Sequence, residues 1–292
     1  MKLDKMHPFS VFLYFISVII FTMFLQNPVI IVLSFVCSEL LCFYFYPAKQ
    51  MAKSITSSIF LIAIMAFINS LLVHQGVTVL LFINDIPLTL ESMLYGLFLT
   101  MMLVSVYCWF KVYNKVITSD KFIFLFSRFT PKISLMLSMS FSFIEKLKTD
   151  YIMIKDSEIA LGVYTGENVV DKLKSGFRIT NILFNMAVES SVERAESMQA
   201  RGYGLKGRTT FNIYHFKSRD AMLIAETIFS IIAVSVLLAL GFGRFGFYPS
   251  LSLITLDVGN ILLYVFCFLM FSIGIFECIK ESILWKISVS KI

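Results

Sequence analysis

Six apolar runs, each close to twenty residues long, alternate with shorter polar connections at residues 8–25, 28–46, 54–73, 88–110, 222–240 and 258–276. An α-helix needs roughly 20 apolar residues to cross the ~30 Å hydrocarbon core of a bilayer, so the pattern predicts six membrane spans. Between the fourth and fifth runs the pattern changes. Over residues 131–156 and 173–199 apolar and charged residues are mixed rather than segregated. In the second of these, Phe177, Ile179, Ile182, Leu183, Met186, Ala187, Val192, Ala195 and Met198 recur at helical intervals, giving a broad apolar face on one helix. Such helices lie in the membrane interface or pack on each other. Gly162 and Gly166 mark a turn between the two long helices, and a shorter helix is predicted before them, from about 119 to 129. The predicted fold is thus all-α: a polytopic membrane protein of about six transmembrane helices with a cytoplasmic, interfacial domain of long amphipathic helices. It divides into 1–110 with four spans, 111–220 as the cytoplasmic domain, and 221–292 with two further spans.

Composition agrees with the membrane reading. The chain is 58% hydrophobic and only 15% charged, and its mean hydropathy is +0.83, beyond what a soluble core requires. Five cysteines, Cys37, Cys42, Cys108, Cys267 and Cys278, lie in or beside apolar runs without C-x-x-C spacing. They suggest neither a zinc site nor a disulfide framework. The formal net charge of +6 matters less than its placement. Lys2 and Lys5 precede the first run, Lys49 and Lys53 follow the second, and residues 111–220 hold 17 of the 25 Lys and Arg. Lys280, Lys286 and Lys291 close the sequence, and Arg244 alone falls on the other side of the alternation. The positive-inside rule therefore places both ends and the 111–220 region in the cytoplasm. The first run is read as a retained span rather than a cleaved signal, because it is long and no small-residue cleavage site follows.

The densest charged stretch, ESSVERAESMQARGYGLKGRTT at 189–210, ends the second long helix. Arg194 and Arg201 are seven residues apart and project from nearly one side. The residues three and four before each are Ser191 and Ser190, and Met198 and Ser197, so no acid within the helix is placed to neutralise either. Gly202 follows Arg201 and is suited to the left-handed residue that terminates a helix. Arg201 is then either a solvated cation favoured by the helix dipole or a planar fork presented to a partner carboxylate. The segment GYGLKGRT at 202–209 resembles a phosphate-binding loop, but Arg208 stands where that loop has Lys, and the segment follows a helix instead of a strand. Nucleotide binding by this chain is not expected.

Inside the predicted spans ionisable residues are sparse. Glu39 falls near the middle of the second, where an ionised acid is costly and must be neutral or paired. It is read as a hydrogen-bonding group of the bundle, with contact to a partner or ion movement as the alternative. Asn69, near the outer end of the third, reads as a helix-to-helix polar contact. Glu226 and Glu277 lie near span ends and can snorkel, and Asp257 belongs to the outer interface. His7, His74 and His215 are scattered, which argues against a metal site. No convergent acids, His or Cys suggest an enzyme, and no internal repeat suggests a secondary transporter.

Several segments carry a resemblance to a known family. HPFSVFLYF from His7, INDIPLTLESMLYGLFLT at 83–100 and, most specifically, ERAESMQARGYG at 193–204 are similar to segments of the transmembrane T component of energy-coupling factor transporters, including the cobalt and nickel branch. In the second segment Ile86, Pro87, Thr89, Glu91 and Gly96 match. In the third, Arg194-Ala195-Glu196 precedes Ala200-Arg201-Gly202-Tyr203. The similarity runs from about residue 7 to residue 240. The resemblance implies a non-catalytic subunit whose coupling helices rest on two ABC-type ATPases, identical or paired as a heterodimer, and whose membrane helices hold a substrate-binding S component. ATP and Mg would be bound by the ATPases, with no cofactor on this chain, no nucleic acid, and membrane lipid as its surroundings. It would serve uptake of a vitamin, metal ion or other small nutrient. The docking residues implied are Ala200, Arg201 and Gly202, with Arg194 and Glu196. A second Ala-Arg-Gly motif is expected about 40 residues upstream, where this chain has Ala160-Leu161-Gly162. Leu161 cannot make a charged bond. It docks through apolar contact, Lys155 or another nearby cation substitutes, or docking is asymmetric. The last run, from 258, extends beyond where many family members end. A stand-alone secondary transporter or channel is the alternative function, and a membrane-embedded enzyme a more distant one.

Overall fold

A computed structural model of the 292-residue chain describes residues 6–73, 76–83, 86–127, 130–162, 169–205, 214–253, 255 and 257–289. In chain order the helices are α1 (Pro8–Phe24), α2 (Pro28–Phe45), α3 (Ala48–Leu72), α4 (Leu90–Val116), α5 (Ser119–Ser127), α6 (Pro131–Ala160), α7 (Val169–Ala200), α8 (Ser218–Ala239) and α9 (Val258–Val289). Two strands, β1 (Val79–Ile83) and β2 (Ile86–Thr89), form an antiparallel hairpin between α3 and α4. Among the described residues the remaining regular structure is helical, as the apolar pattern predicts. Five helices, α2, α3, α4, α8 and the Val258–Lys280 portion of α9, are long and apolar enough to cross a membrane. The apolar α1 is shorter, at 17 residues. The long helices expected in the central region are α6 and α7, and the shorter one before them is α5. Gly166, His74 and residues 206–213 lie outside the described residues.

Two compact units are distinguished, residues 1–122 with 214–292, and residues 123–213. The first gathers all the apolar spans, so the last two helices share a core with the first four elements. Helix starts are set by local chemistry. Pro8 and Pro28 occupy first helical positions, where the missing N–H is no loss. His7 Nδ1 and Asn27 Oδ1 accept the Phe9 and Val29 N–H groups at 3.3 and 3.0 Å. Asp220 joins two helix starts. Its buried carboxylate accepts the His7 N–H and the Lys217 N–H, both at 2.8 Å, and so fixes the start of α1 against the start of α8.

The core is built from Tyr14, Phe15, Leu41, Trp109, Val112, Leu263, Met270 and Phe271, all fully buried. Within it runs a hydroxyl chain. Thr22 and Ser34 share a hydrogen bond of 2.9 Å, Ser34 and Ser105 one of 2.8 Å, and Trp109 Nε1 donates to Ser34 at 3.1 Å. These bonds tie α1, α2 and α4 together by the small-residue and hydroxyl contacts that serve where lipid removes the hydrophobic drive. Helices α3 and α4 approach closely at Gly96: a Cβ there would lie 2.6 Å from Asn69 Cβ and 3.1 Å from Ala66 Cα. Above this crossing Glu91 is buried and accepts from the Thr78 N–H at 3.2 Å and its hydroxyl at 2.8 Å, anchoring the hairpin to the first turn of α4.

Candidate functional site

In the unit formed by residues 123–213, α6 and α7 pass each other in opposite directions. The cross-contacts define the register. Lys146 Nζ donates to Ser190 Oγ at 2.7 Å, the Arg194 guanidinium lies 5.2 Å from the Phe143 ring centre, and Arg178 Nε stands 3.6 Å from Glu158 Oε1. Pairs 143 with 194, 146 with 190 and 158 with 178 move in opposite senses along the two helices. The C-terminal tip of α6 therefore lies beside the beginning of α7, and the C-terminal tip of α7 lies beside the beginning of α6. At 1.5 Å per residue the two tips stand about 30–40 Å apart, depending on the crossing angle.

Both tips are built alike. Helix α7 ends with the Arg201 N–H on Ser197 O at 3.1 Å, the Gly202 N–H on Gln199 O at 3.0 Å and the Tyr203 N–H on Met198 O at 3.0 Å. With Gly202 at φ +83°, this is the Schellman termination, and Arg201 is its C-cap. Helix α6 ends with the Leu161 N–H on Ser157 O and the Gly162 N–H on Ile159 O, both 3.0 Å, and Gly162 at φ +69°. Leu161 thus holds the position in its helix that Arg201 holds in the other. Glycine is needed at both for its backbone angle; a Cβ on Gly162 would meet nothing within 4 Å. Leu161 is 77% exposed, and Ile159 of the same last turn is exposed with it. Ala160, Ala200, Arg201 and Glu196 are exposed too. Arg201 forms no ion pair among the described residues.

Arg194 differs from its sequence expectation. Local sequence leaves both guanidinium groups available, but that of Arg194 is half-buried on Phe143, seated by a cation–π contact across the α6–α7 pair. The motif thus separates into a tip residue, Arg201, and a residue that braces the helix carrying it. Sequence periodicity could not reveal this, because Phe143 lies on another helix. The Glu158–Arg178 pair was missed as well. Glu158 is buried, as are Ile154, Ser175 and Ile179, and its only local signal is its place four residues after Ile154, on the same side of α6. Much of the predicted apolar face of α7 stays uncovered: Ile179 is buried, while Phe177 and Val192 are exposed.

The intramembrane residues belong to the other unit. Asn69 Nδ2 donates to Ser92 O at 2.8 Å, and Ser92 Oγ returns bonds to Asn69 O and Val73 O at 3.2 and 2.6 Å. Asn69 thereby makes the polar contact between α3 and α4. Glu39 accepts the Cys108 thiol on Oε1 at 3.3 Å, while its buried Oε2 has no partner among the described residues. His7 is a helix cap, and no group of three His, Cys, Asp or Glu able to hold a metal occurs among the described residues. No family model matches the chain, and a search of curated proteins finds no match either.

Proposed function

We propose that this chain is the membrane coupling subunit of an energy-coupling factor type importer. It carries motion from two ABC-type ATPases to a separate substrate-binding S component that delivers a vitamin, metal ion or other small nutrient. The observation that carries the reading is the pair of matched helix ends, Ala160-Leu161-Gly162 and Ala200-Arg201-Gly202. They share one backbone termination and face away from each other at the two ends of an antiparallel helix pair. Ends about 30–40 Å apart are too distant to enter one groove, and they suit two grooves on two subunits. A pair of ATPases that approach on binding nucleotide then acts on both ends of a single lever. Such a device does work only if the ATPase states contact the tips differently. The six apolar helices, α1 included, span the membrane with both ends and residues 111–220 on the cytoplasmic side. The uncovered apolar faces of α6 and α7 meet the membrane interface and the S component. ATP and Mg bind to the ATPases, and the chain has no active site of its own.

Co-purification is the direct test. The detergent-solubilised chain is expected to bring down a pair of ABC ATPases and to transport nothing alone. An isolated chain that takes up or converts a substrate in liposomes would replace this reading with a self-sufficient transporter or enzyme.

A further inference from the structure

Helices α8 and α9 form an antiparallel hairpin whose connecting end is closed by the Gly243 N–H on Asn260 Oδ1 at 2.8 Å. Towards their other end the two helices part to leave a groove of about 390 Å³. Its walls are apolar, with Phe229 on α8 and Ile273 and Phe276 on α9, but its lining also carries Glu226, Glu277 and Lys280. None of these three charges forms an ion pair among the described residues. Their depth can be read along the helices. At 1.5 Å per residue Glu277 lies about 26 Å and Lys280 about 30 Å from Asn260 at the closed end, and Glu226 lies about 20 Å from the end of α8 at Ala239. Lys280 thus stands one hydrocarbon thickness from the closed end, at headgroup level, with Glu277 one turn before it on α9 and Glu226 on the α8 wall of the same groove. Unpaired carboxylates on a lipid-facing surface are costly, and their default explanation is a cationic partner.

We propose that this groove binds an aminophospholipid, with its ammonium between Glu226 and Glu277, its phosphate on Lys280, and its first methylenes on Phe229, Ile273 and Phe276. The charge pattern selects this occupant. Two acids and one base complement a zwitterion that has a cation to share between carboxylates and an anion for the lysine. A lipid with a purely anionic headgroup would place its phosphate near two carboxylates with nothing to offset them. A primary ammonium donates hydrogen bonds to both acids, which a quaternary choline cannot do. Size agrees: one turn of helix, about 10 Å across and 5.4 Å high, would fill the whole space, whereas a headgroup and the start of its chains fit. The site depends on neither the ATPases nor the S component.

Native mass spectrometry of the full chain, released from nanodiscs holding equal phosphatidylethanolamine, phosphatidylcholine and phosphatidylglycerol, reads the preference directly. Phosphatidylethanolamine should be retained about tenfold over either competitor, the scale of one lost charge-assisted hydrogen bond. The Glu226→Gln/Glu277→Gln double variant should lose that preference, and Lys280→Met should weaken both zwitterionic lipids. Stepwise N-methylation of the headgroup should reduce retention stepwise on the unaltered chain, a test that survives if a variant fails to fold. Equal retention of the ethanolamine and choline lipids, insensitivity to N-methylation, or a preference unchanged in the double Gln variant would each overturn the proposal.

Discussion

Arg201 and Leu161 occupy equivalent positions with unlike side chains, so the two tips cannot contribute to docking in the same way. If Arg201 meets a carboxylate in an ATPase groove, truncation leaves that acid desolvated and alone, at a cost of about 2–5 kcal/mol. Arg201→Ala should therefore weaken ATPase assembly by about 30-fold or more. Arg201→Lys should recover only part, because an ammonium lacks the planar fork. Leu161→Ala should cost about 1–3 kcal/mol with little dependence on salt, since an apolar contact has no charge to screen. Pull-down affinity at two salt concentrations separates these outcomes, and unchanged binding by Arg201→Ala would make the side chain a solvated helix end. Arg194 should behave differently despite its place in the same motif. Its guanidinium rests on Phe143, so Arg194→Ala should loosen the α6–α7 pair by about 0.5–1 kcal/mol. Phe143→Leu should reproduce that loss, and combining the two should add little to either alone. Fully additive melting shifts in this double-mutant cycle would dissociate Arg194 from the helix pair.

Among the elements, α3 and α4 make the closest helix contact that can be traced to one residue. Gly96 lets Asn69 and Ala66 approach to distances a methyl group cannot share, and Asn69 and Ser92 then exchange hydrogen bonds across the gap. Gly96→Ala should separate the helices, strain this exchange and cost about 1–3 kcal/mol as overpacking. A lowered melting temperature in detergent would register it, and an unaltered one would show that the helices part without loss. Existence of the helices was legible in the sequence because apolar run length and 3.6-residue periodicity are local properties, but α3 begins at Ala48 and α9 continues to Val289, beyond the apolar runs at 54–73 and 258–276 that announce them. The periodicity of residues 177–198 predicts α7, the mixed apolar and charged run at 131–156 predicts α6, and the glycines at 162 and 202 mark where they end. The hairpin was not legible. Residues 79–87 fall in the connection between the third and fourth runs, and the hairpin they begin is tied down by Glu91, beyond the second strand, which accepts from Thr78 before the first. Nor could the sequence show that Arg194 is braced or that Asp220 links two helix starts, because each partner lies on another element. The sequence marked which residues are unusual, while packing decided which of them remain presented.

At the scale of the whole molecule, charge placement makes a definite claim about sidedness. Moving Lys or Arg across the hydrocarbon core is disfavoured and the cytoplasmic side collects them. With 17 of 25 such residues at 111–220 and only Arg244 in the α8–α9 connection, these two regions should face opposite compartments. Helix lengths permit this: α8 has 22 residues, enough to carry the chain from one side to the other. The chain also suits a cysteine-labelling test, because its own five cysteines are free and buried and should react slowly with a membrane-impermeant maleimide. Arg244→Cys and Gln199→Cys place a thiol at exposed positions of the two regions. In intact cells Arg244→Cys should label and Gln199→Cys should not; after the membrane is opened both should. A third position checks the first helix, whose 17 residues fall short of the ordinary span length. Gln26→Cys should label from outside whether or not α1 crosses, because three spans separate it from Gln199, so α1 is tested ahead of it: Lys5→Cys should be protected in intact cells if α1 crosses the bilayer despite its length. Labelling of Gln199→Cys in intact cells would reverse the orientation and remove residues 123–213 from the reach of any cytoplasmic ATPase. Labelling of Lys5→Cys alone would instead leave α1 on the outer face, with the five helices α2, α3, α4, α8 and α9 crossing and the matched tips still inside.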